Sequence, residues 1–159
     1  MVLSYALAYP DEISGIVTLG AAMYKEGYPA ENGDPISSLV TAPVIGHLLM
    51  NTLLRSPLGT AMASKMVEAT FAPESVPAGY LDTALALWLR PGQFRANRED
   101  ILAFPAASAK ASERYIQIKA PVVIVVGEDD PFGTIKQAQR LKSDLPHAEL
   151  LILPHIAHM

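Results

Sequence analysis

Two apolar runs towards the C-terminal end constrain the fold most. Pro121-Val-Val-Ile-Val-Val-Gly127 and Ala148-Glu-Leu-Leu-Ile-Leu-Pro154 are short, aliphatic and bounded by turn residues. Neither alternates polar with apolar, which predicts strands of a parallel sheet covered on both faces. Between them, Phe132 to Leu145 has the helical period. Ile135, Ala138, Leu141 and Leu145 fall on one stripe, while Lys136, Gln139, Arg140 and Lys142 face water. Strand, helix, strand at this spacing is a right-handed βαβ unit. A third run, Ile13-Ser-Gly-Ile-Val-Thr-Leu-Gly20, supplies another strand.

The middle of the chain, from about Tyr24 to Ser112, holds no convincing strand. A loop rich in Gly, Pro and Asn, residues 25–35, leads into helical segments punctuated by proline. These are Ile36 to Leu54, Pro57 to Phe71, Glu74 to Leu89 and Phe94 to Phe104, with breaks at Ala72-Pro73-Glu74 and Arg90-Pro91-Gly92. A last helix or turn, Ala106 to Tyr115, returns to the second strand. Met1 to Pro10 reads as a buried helix that ends at its proline. The expected class is α/β: residues 1–22 and 116–159 form a core with a short parallel sheet of about three strands. A helical block, residues 23–115, is inserted between two of those strands.

Composition narrows the function classes. The chain has 159 residues, half of them hydrophobic and 18% charged, which excludes a disordered or fibrous protein. A net charge of -4 without Lys/Arg runs argues against nucleic acid or an anionic membrane as the main partner. With no cysteine there is no disulfide framework, thiolate zinc site or Cys nucleophile. No stretch approaches the roughly 20 apolar residues of a membrane helix. Ala6-Leu7-Ala8 imitates a signal-peptidase site, but Met1 to Pro10 lacks a positive n-region and the length of a leader. A cytoplasmic location is favoured on that ground.

Chemistry concentrates at the ends of the two C-terminal strands. Gly127-Glu128-Asp129-Asp130-Pro131 places a carboxylate past the carboxyl end of one, where open α/β sheets put their ligand groups. Leu153-Pro154-His155-Ile156-Ala157-His158 places a histidine past the end of the other. Asp130 and His158 are 28 residues apart, room for a turn, a helix and a strand. A carboxylate bonded to one ring nitrogen fixes the tautomer and frees the other nitrogen as a general base.

Plainer readings stand beside these. Asp130-Pro131 suits a helix N-terminal cap. His155 reads as a loop residue, and His47, in an apolar helix, as a satisfied histidine. His155 and His158 with Glu128, Asp129 and Asp130 have a possible metal spacing without a third fixed ligand, so no metal and no cofactor is expected. Met50, Met62, Met66, Leu81, Leu85 and Trp88 lie at helical spacings and read chiefly as core. Met62, Met66, Leu85 and Trp88 are also candidates to line an acyl-sized pocket. Arg90, Arg95 and Arg98 read as a solvated edge.

Residues Ile118 to His158 resemble the C-terminal part of an α/β-hydrolase. Lys119-Ala-Pro-Val-Val-Ile-Val-Val-Gly-Glu-Asp-Asp130 is similar to the family's seventh strand, with the acid three residues after its glycine. Pro154-His-Ile-Ala-His158 is similar to the segment after the eighth strand, where His155 and Ala157 stand at positions often occupied by glycine. Met1 to Pro10 resembles the helix after the nucleophile elbow, Asp11 to Ala22 the sixth strand, and the helical block the cap. The resemblance implies Asp130 as the triad acid and His158 as the catalytic histidine. No Gly-x-Ser-x-Gly occurs in the sequence, and Ser4 lies inside a helix instead of on a strand-to-helix turn. The chain thus reads as a piece of the fold that starts just after the nucleophile and stops just after the histidine.

The resemblance implies a serine hydrolase acting on a small hydrophobic ester or acyl substrate, with an Asp nucleophile as in epoxide hydrolases and haloalkane dehalogenases left open. The alternative is a half-domain without activity of its own, which docks to a missing half or self-associates. The exposed edge of the first strand would then make a homo-oligomer.

Overall fold

A computed structural model describes residues 1–158. They form two compact units, residues 1–28 with 105–158 and residues 29–104.

The first unit is built on a three-stranded parallel sheet of β1 (Ile16–Leu19), β2 (Val122–Gly127) and β3 (Glu149–Leu153), in that order. Ile16 pairs with Val122 and Leu19 with Val125; Val123 pairs with Glu149 and Gly127 with Leu153. β1 is shorter than the apolar run at Ile13 to Gly20 implies. The helices of this unit are α1 (Val2–Ala8) and α7 (Thr134–Asp144). Leu3 and Ala6 of α1, Ile16, Ile124 and Val126 of the strands, and Ala138 and Leu141 of α7 are buried in one core with Leu145. The stripe read from the 132–145 sequence is therefore the packed face, although α7 starts at Thr134.

The expectation that both sheet faces are covered fails. Register partners in a parallel sheet share a face. Val17 and Leu19 are 59% and 73% exposed, and on the same face Leu151 and Leu153 are each 40% exposed. The opposite face is buried at Ile16, Thr18, Ile124 and Val126, with Ile152 of β3 40% exposed at its edge. Non-alternating apolar strands are thus present, with one apolar face open among the described residues.

Sequence reading missed how the chain after β1 is fastened. Gln137 of α7 accepts backbone hydrogen bonds from Met23 and Tyr24 at 2.7 Å each, and donates to the carbonyls of Tyr24 and Glu26. Tyr24 donates its hydroxyl to Asp144 at 2.6 Å, and Tyr115 donates to the carbonyl of Met23 at 2.8 Å. Arg140 lies over the Tyr24 ring and pairs with Glu26. Burial and Asp144 push the Tyr24 hydroxyl well above the ordinary tyrosine range, and burial pushes Tyr115 up to about 12. The Arg140 hydrogen bond holds the Glu26 carboxyl below its ordinary value.

The second unit is helical, with α2 (Pro35–Thr41), α3 (Pro43–Asn51), α4 (Pro57–Phe71), α5 (Tyr80–Trp88) and most of α6 (Pro91–Ser112). Each except α5 begins with proline at its first position, where the missing N–H costs nothing. The Asp34 side chain caps α2 by accepting from the backbone of Ile36 and Ser37, and from the Ser37 hydroxyl. The single helix expected from Ile36 to Leu54 is cut at Pro43, which cannot donate to the preceding turn. The helix expected from Glu74 starts only at Tyr80. Phe94 to Phe104 and Ala106 to Tyr115 merge into the one helix α6, with Pro105 in its interior. Val67, Phe71 and Ala84 form the buried cluster of this unit, and Phe71 meets Tyr80 edge to face at 5.0 Å.

Candidate active site

β2 delivers Asp130 and β3 delivers His158 to the same end of the sheet. Just past β2, the backbone of Glu128 donates to the carbonyl of Leu153 at 2.9 Å, and that of Asp129 donates to the carbonyl of Ile156 at 3.0 Å. These bonds lay residues 154–157 across the end of β2. Gly127 permits the crossing, because a Cβ there would stand 2.2 Å from the carbonyl oxygens of both Ile156 and Ala157. His155 turns the chain with a φ of 57°, so the left-handed residue falls there and not at Ala157, which is buried.

The result is a close pair. His158 Nδ1 lies 2.7 Å from Asp130 Oδ2, with the Asp130 side chain 0% exposed and that of His158 29% exposed. Asp130 is not the cap of α7, because Gly133 occupies that position with a φ of 70°. Its Oδ1 instead accepts from the backbone of Phe132 at 2.8 Å, closing a local turn, and its Oδ2 also accepts from the Thr134 hydroxyl at 2.6 Å. The Phe132 ring meets the imidazole edge to face at 4.8 Å. Gly20, at the end of β1, completes the surround: a Cβ there would sit 3.2 Å from His158 Nδ1.

An imidazole held this way donates from Nδ1 and keeps Nε2 as a base, with enough exposure for a small reactant. Sequence reasoning singled out Asp130 and His158 but missed Thr134, Phe132 and Gly20. A glycine at the end of a strand signals close backbone approach, so Gly20 was findable. Thr134 and Phe132 carried no such signal.

The remaining candidates fall elsewhere. Among the described residues no group of three or more His, Asp or Glu is placed to hold a metal ion, and His155 is exposed. His47 is exposed on α3, with its Nε2 3.5 Å from the Asn51 side-chain amide. Met62, Met66 and Trp88 are 62%, 51% and 38% exposed, so the core reading holds for Met50 and fails for these three. Leu85 is half-buried. Arg95 and Arg98 are no solvated edge: Arg95 donates to Glu99 and to the Thr41 carbonyl, and Arg98 lies 3.8 Å from Asp34 and stacks over Phe94. Ser4 is on α1 and exposed. No helix is long and apolar enough to cross a membrane among the described residues.

No protein-family model matches the chain. It is 26% identical over 160 residues to a 2-hydroxy-6-oxononadienedioate/2-hydroxy-6-oxononatrienedioate hydrolase of Paraburkholderia phymatum, a match covering 98% of this chain and 51% of that protein. The chain thus spans about half the length of the curated relatives it matches. Among solved structures it is similar to an alpha/beta hydrolase fold protein from Burkholderia ambifaria, with a TM-score of 0.58 at 20% identity, covering 99% of this chain and 55% of that one. It is also similar to a thermophilic esterase from Thermogutta terrifontis, with a TM-score of 0.61 at 11% identity, covering 99% and 53%.

Proposed function

We propose that this chain, which has the α/β-hydrolase fold, carries the acid and the histidine of a hydrolase acting on ester or related acyl substrates. The observation that supports this is the 2.7 Å contact of His158 Nδ1 with a fully buried Asp130. Asp130 accepts a hydrogen bond from Nδ1–H, so the proton stays on Nδ1 and Nε2 holds a lone pair. Nε2 takes the proton of the attacking hydroxyl as its oxygen bonds to the acyl carbon and the carbonyl electron pair moves onto oxygen. When that pair returns, the bond to the leaving group breaks and Nε2 gives the proton to it. Water then repeats the sequence and releases the acid.

The attacking group comes from outside these residues, since the 159 residues contain no Gly-x-Ser-x-Gly. An aspartate nucleophile, with His158 activating water in the second step, uses the same pair. Residues 29–104 act as the cap in this reading, and the exposed Met62, Met66 and Trp88 with Leu85 are the apolar groups offered to substrate. The curated relatives' names add a second substrate class, a 2-hydroxy-6-oxononadienedioate or -trienedioate.

The test is turnover of p-nitrophenyl acetate and of such a dienedioate. The purified chain is assayed alone and mixed with the part of the Paraburkholderia phymatum hydrolase that it does not match. Turnover is expected in the mixture and is abolished by His158→Ala. Turnover in the mixture that survives His158→Ala overturns the assignment, and turnover by the chain alone overturns the external nucleophile.

The open sheet face favours a second reading, in which the chain associates with a second copy of itself. β1 is an edge strand, and Val17, Leu19, Leu151 and Leu153 present an apolar surface beside it. Light scattering is expected to show a dimer or larger species that Leu19→Lys converts to monomer. A monodisperse monomer before substitution sinks this reading.

A further inference from the structure

We infer that Thr134 is a positioning residue for His158, acting through the carboxylate of Asp130; this rests on the reading of Asp130 and His158 as acid and base. Three donors converge on one buried carboxylate: the Phe132 backbone on Oδ1, and the Thr134 hydroxyl and His158 Nδ1 together on Oδ2. A carboxylate with no exposed side-chain surface has no water to make up for a missing donor.

The bonds differ in what they fix. The Phe132 bond is short-range and commits Oδ1, but one bond leaves the carboxylate plane free to rock about it. The Thr134 hydroxyl supplies the second point. Its single proton must go to Oδ2, because a carboxylate only accepts, and 2.6 Å is the length of a charge-assisted O–H···O bond. Thr134 is itself buried in the first turn of α7, and its β-branch restricts it to few rotamers. With Oδ1 and one lone pair of Oδ2 taken, the remaining lone pair of Oδ2 is held towards Nδ1.

Rigid presentation of that lone pair keeps the Nδ1 proton in place and Nε2 unprotonated. Thr134 touches neither the imidazole's reactive nitrogen nor substrate in this role. Phe132 braces the imidazole from the same turn, so residues 130–134 grip both partners.

The test is 15N and 1H NMR of the neutral His158 imidazole in the full chain, assigned with His158→Gln. The wild type is expected to show the Nδ1–H tautomer with a downfield, exchange-protected ring proton. Thr134→Val, which keeps the shape and removes the donor, is expected to speed exchange of that proton about tenfold and to populate the Nε2–H form, consistent with the loss of about one hydrogen bond. Thr134→Ser is expected to restore both signals. A merely structural Thr134 would change stability and leave the tautomer as it was, and that result overturns the inference.

Asp130→Asn separates the two readings. If it abolishes the Nδ1–H signature while Thr134→Val does not, the pair stands and Thr134 has no part in it. If Asp130→Asn also leaves the signature unchanged, the pair itself fails. Should the valine variant not fold, the wild type still decides. A slowly exchanging Thr134 hydroxyl proton with a cross-peak to the His158 Nδ1 proton is required, and its absence overturns the inference.

Discussion

Gly20 lies against the imidazole of His158, so close that a side chain there would press on the ring by a few tenths of an ångström. A Cβ on Gly20 would come within 3.2 Å of Nδ1, and within 3.4 Å of the Asp130 oxygen that Nδ1 faces. Gly20 also has a φ of 50°, a region that costs an L-residue roughly 1–2 kcal/mol. Gly20→Ala is therefore expected to lower stability by about 1–2 kcal/mol in urea denaturation and to displace the His158 resonances. Unchanged imidazole resonances would show that the backbone end of β1 does not confine the ring.

Gly127 is under a stricter constraint. A Cβ there meets two carbonyl oxygens at 2.2 Å, and both belong to the segment that carries His158. Backbone cannot yield as a flexible side chain does, so Gly127→Ala must lift residues 156–157 off the end of β2. The expected cost is about 3 kcal/mol, the upper end of ordinary overpacking. The NMR signature of the Asp130–His158 pair is expected to vanish with it. Retention of that signature would mean that the loop has another way across.

His155 pays a conformational cost that glycine would not. Its φ of 57° is the only positive value outside glycine among the described residues, and its side chain is exposed. His155→Gly is expected to raise stability by up to about 1 kcal/mol by thermal or urea unfolding, since glycine enters this region freely. Tautomer and exchange signatures of His158 should be unaffected. Loss of stability would show that the imidazole of His155 makes a contact worth more than the strain.

The parts of this protein that could be read from residues are those set by short-range rules. The βαβ unit from Val122 to Leu153 follows from two unbroken aliphatic runs and one 3.6-residue stripe, and α4 starts and stops where Ser56-Pro57 and Pro73 say it should. Asp130 and His158 were legible because parallel strands bring their carboxyl ends together whatever lies between. Long-range polar contacts were not. Gln137 reads as one more hydrophilic helix residue, yet it is buried because four backbone groups more than a hundred positions away need its amide. Thr134 reads as one residue inside the helical stretch from Phe132, and only the folded turn shows its hydroxyl on Asp130. The open sheet face was hidden for a different reason. A run of valines and leucines specifies apolar surroundings but does not say whether this chain supplies them.

The clasp between α7 and the chain after β1 gives the protein an alkaline limit. Of its six tyrosines, Tyr115 is pushed up to about 12 by burial, and Tyr24 is raised further by burial and by its bond to Asp144. In the unfolded chain both ionise near 10. Between that value and their folded values the unfolded state has lost protons that the folded state keeps, so stability falls as pH rises. The contribution is fully present below about pH 10, and by pH 12 Tyr115 alone accounts for about 2 kcal/mol lost. The tyrosinate absorbance of Tyr24 and Tyr115 is expected to appear together with the loss of circular dichroism. Tyr115→Phe removes one ionisation from that step and is expected to move the alkaline unfolding midpoint upward relative to its own neutral-pH stability. Ionisation of all six rings before any unfolding would show that the Tyr24 and Tyr115 hydroxyls are reached by solvent in the folded protein.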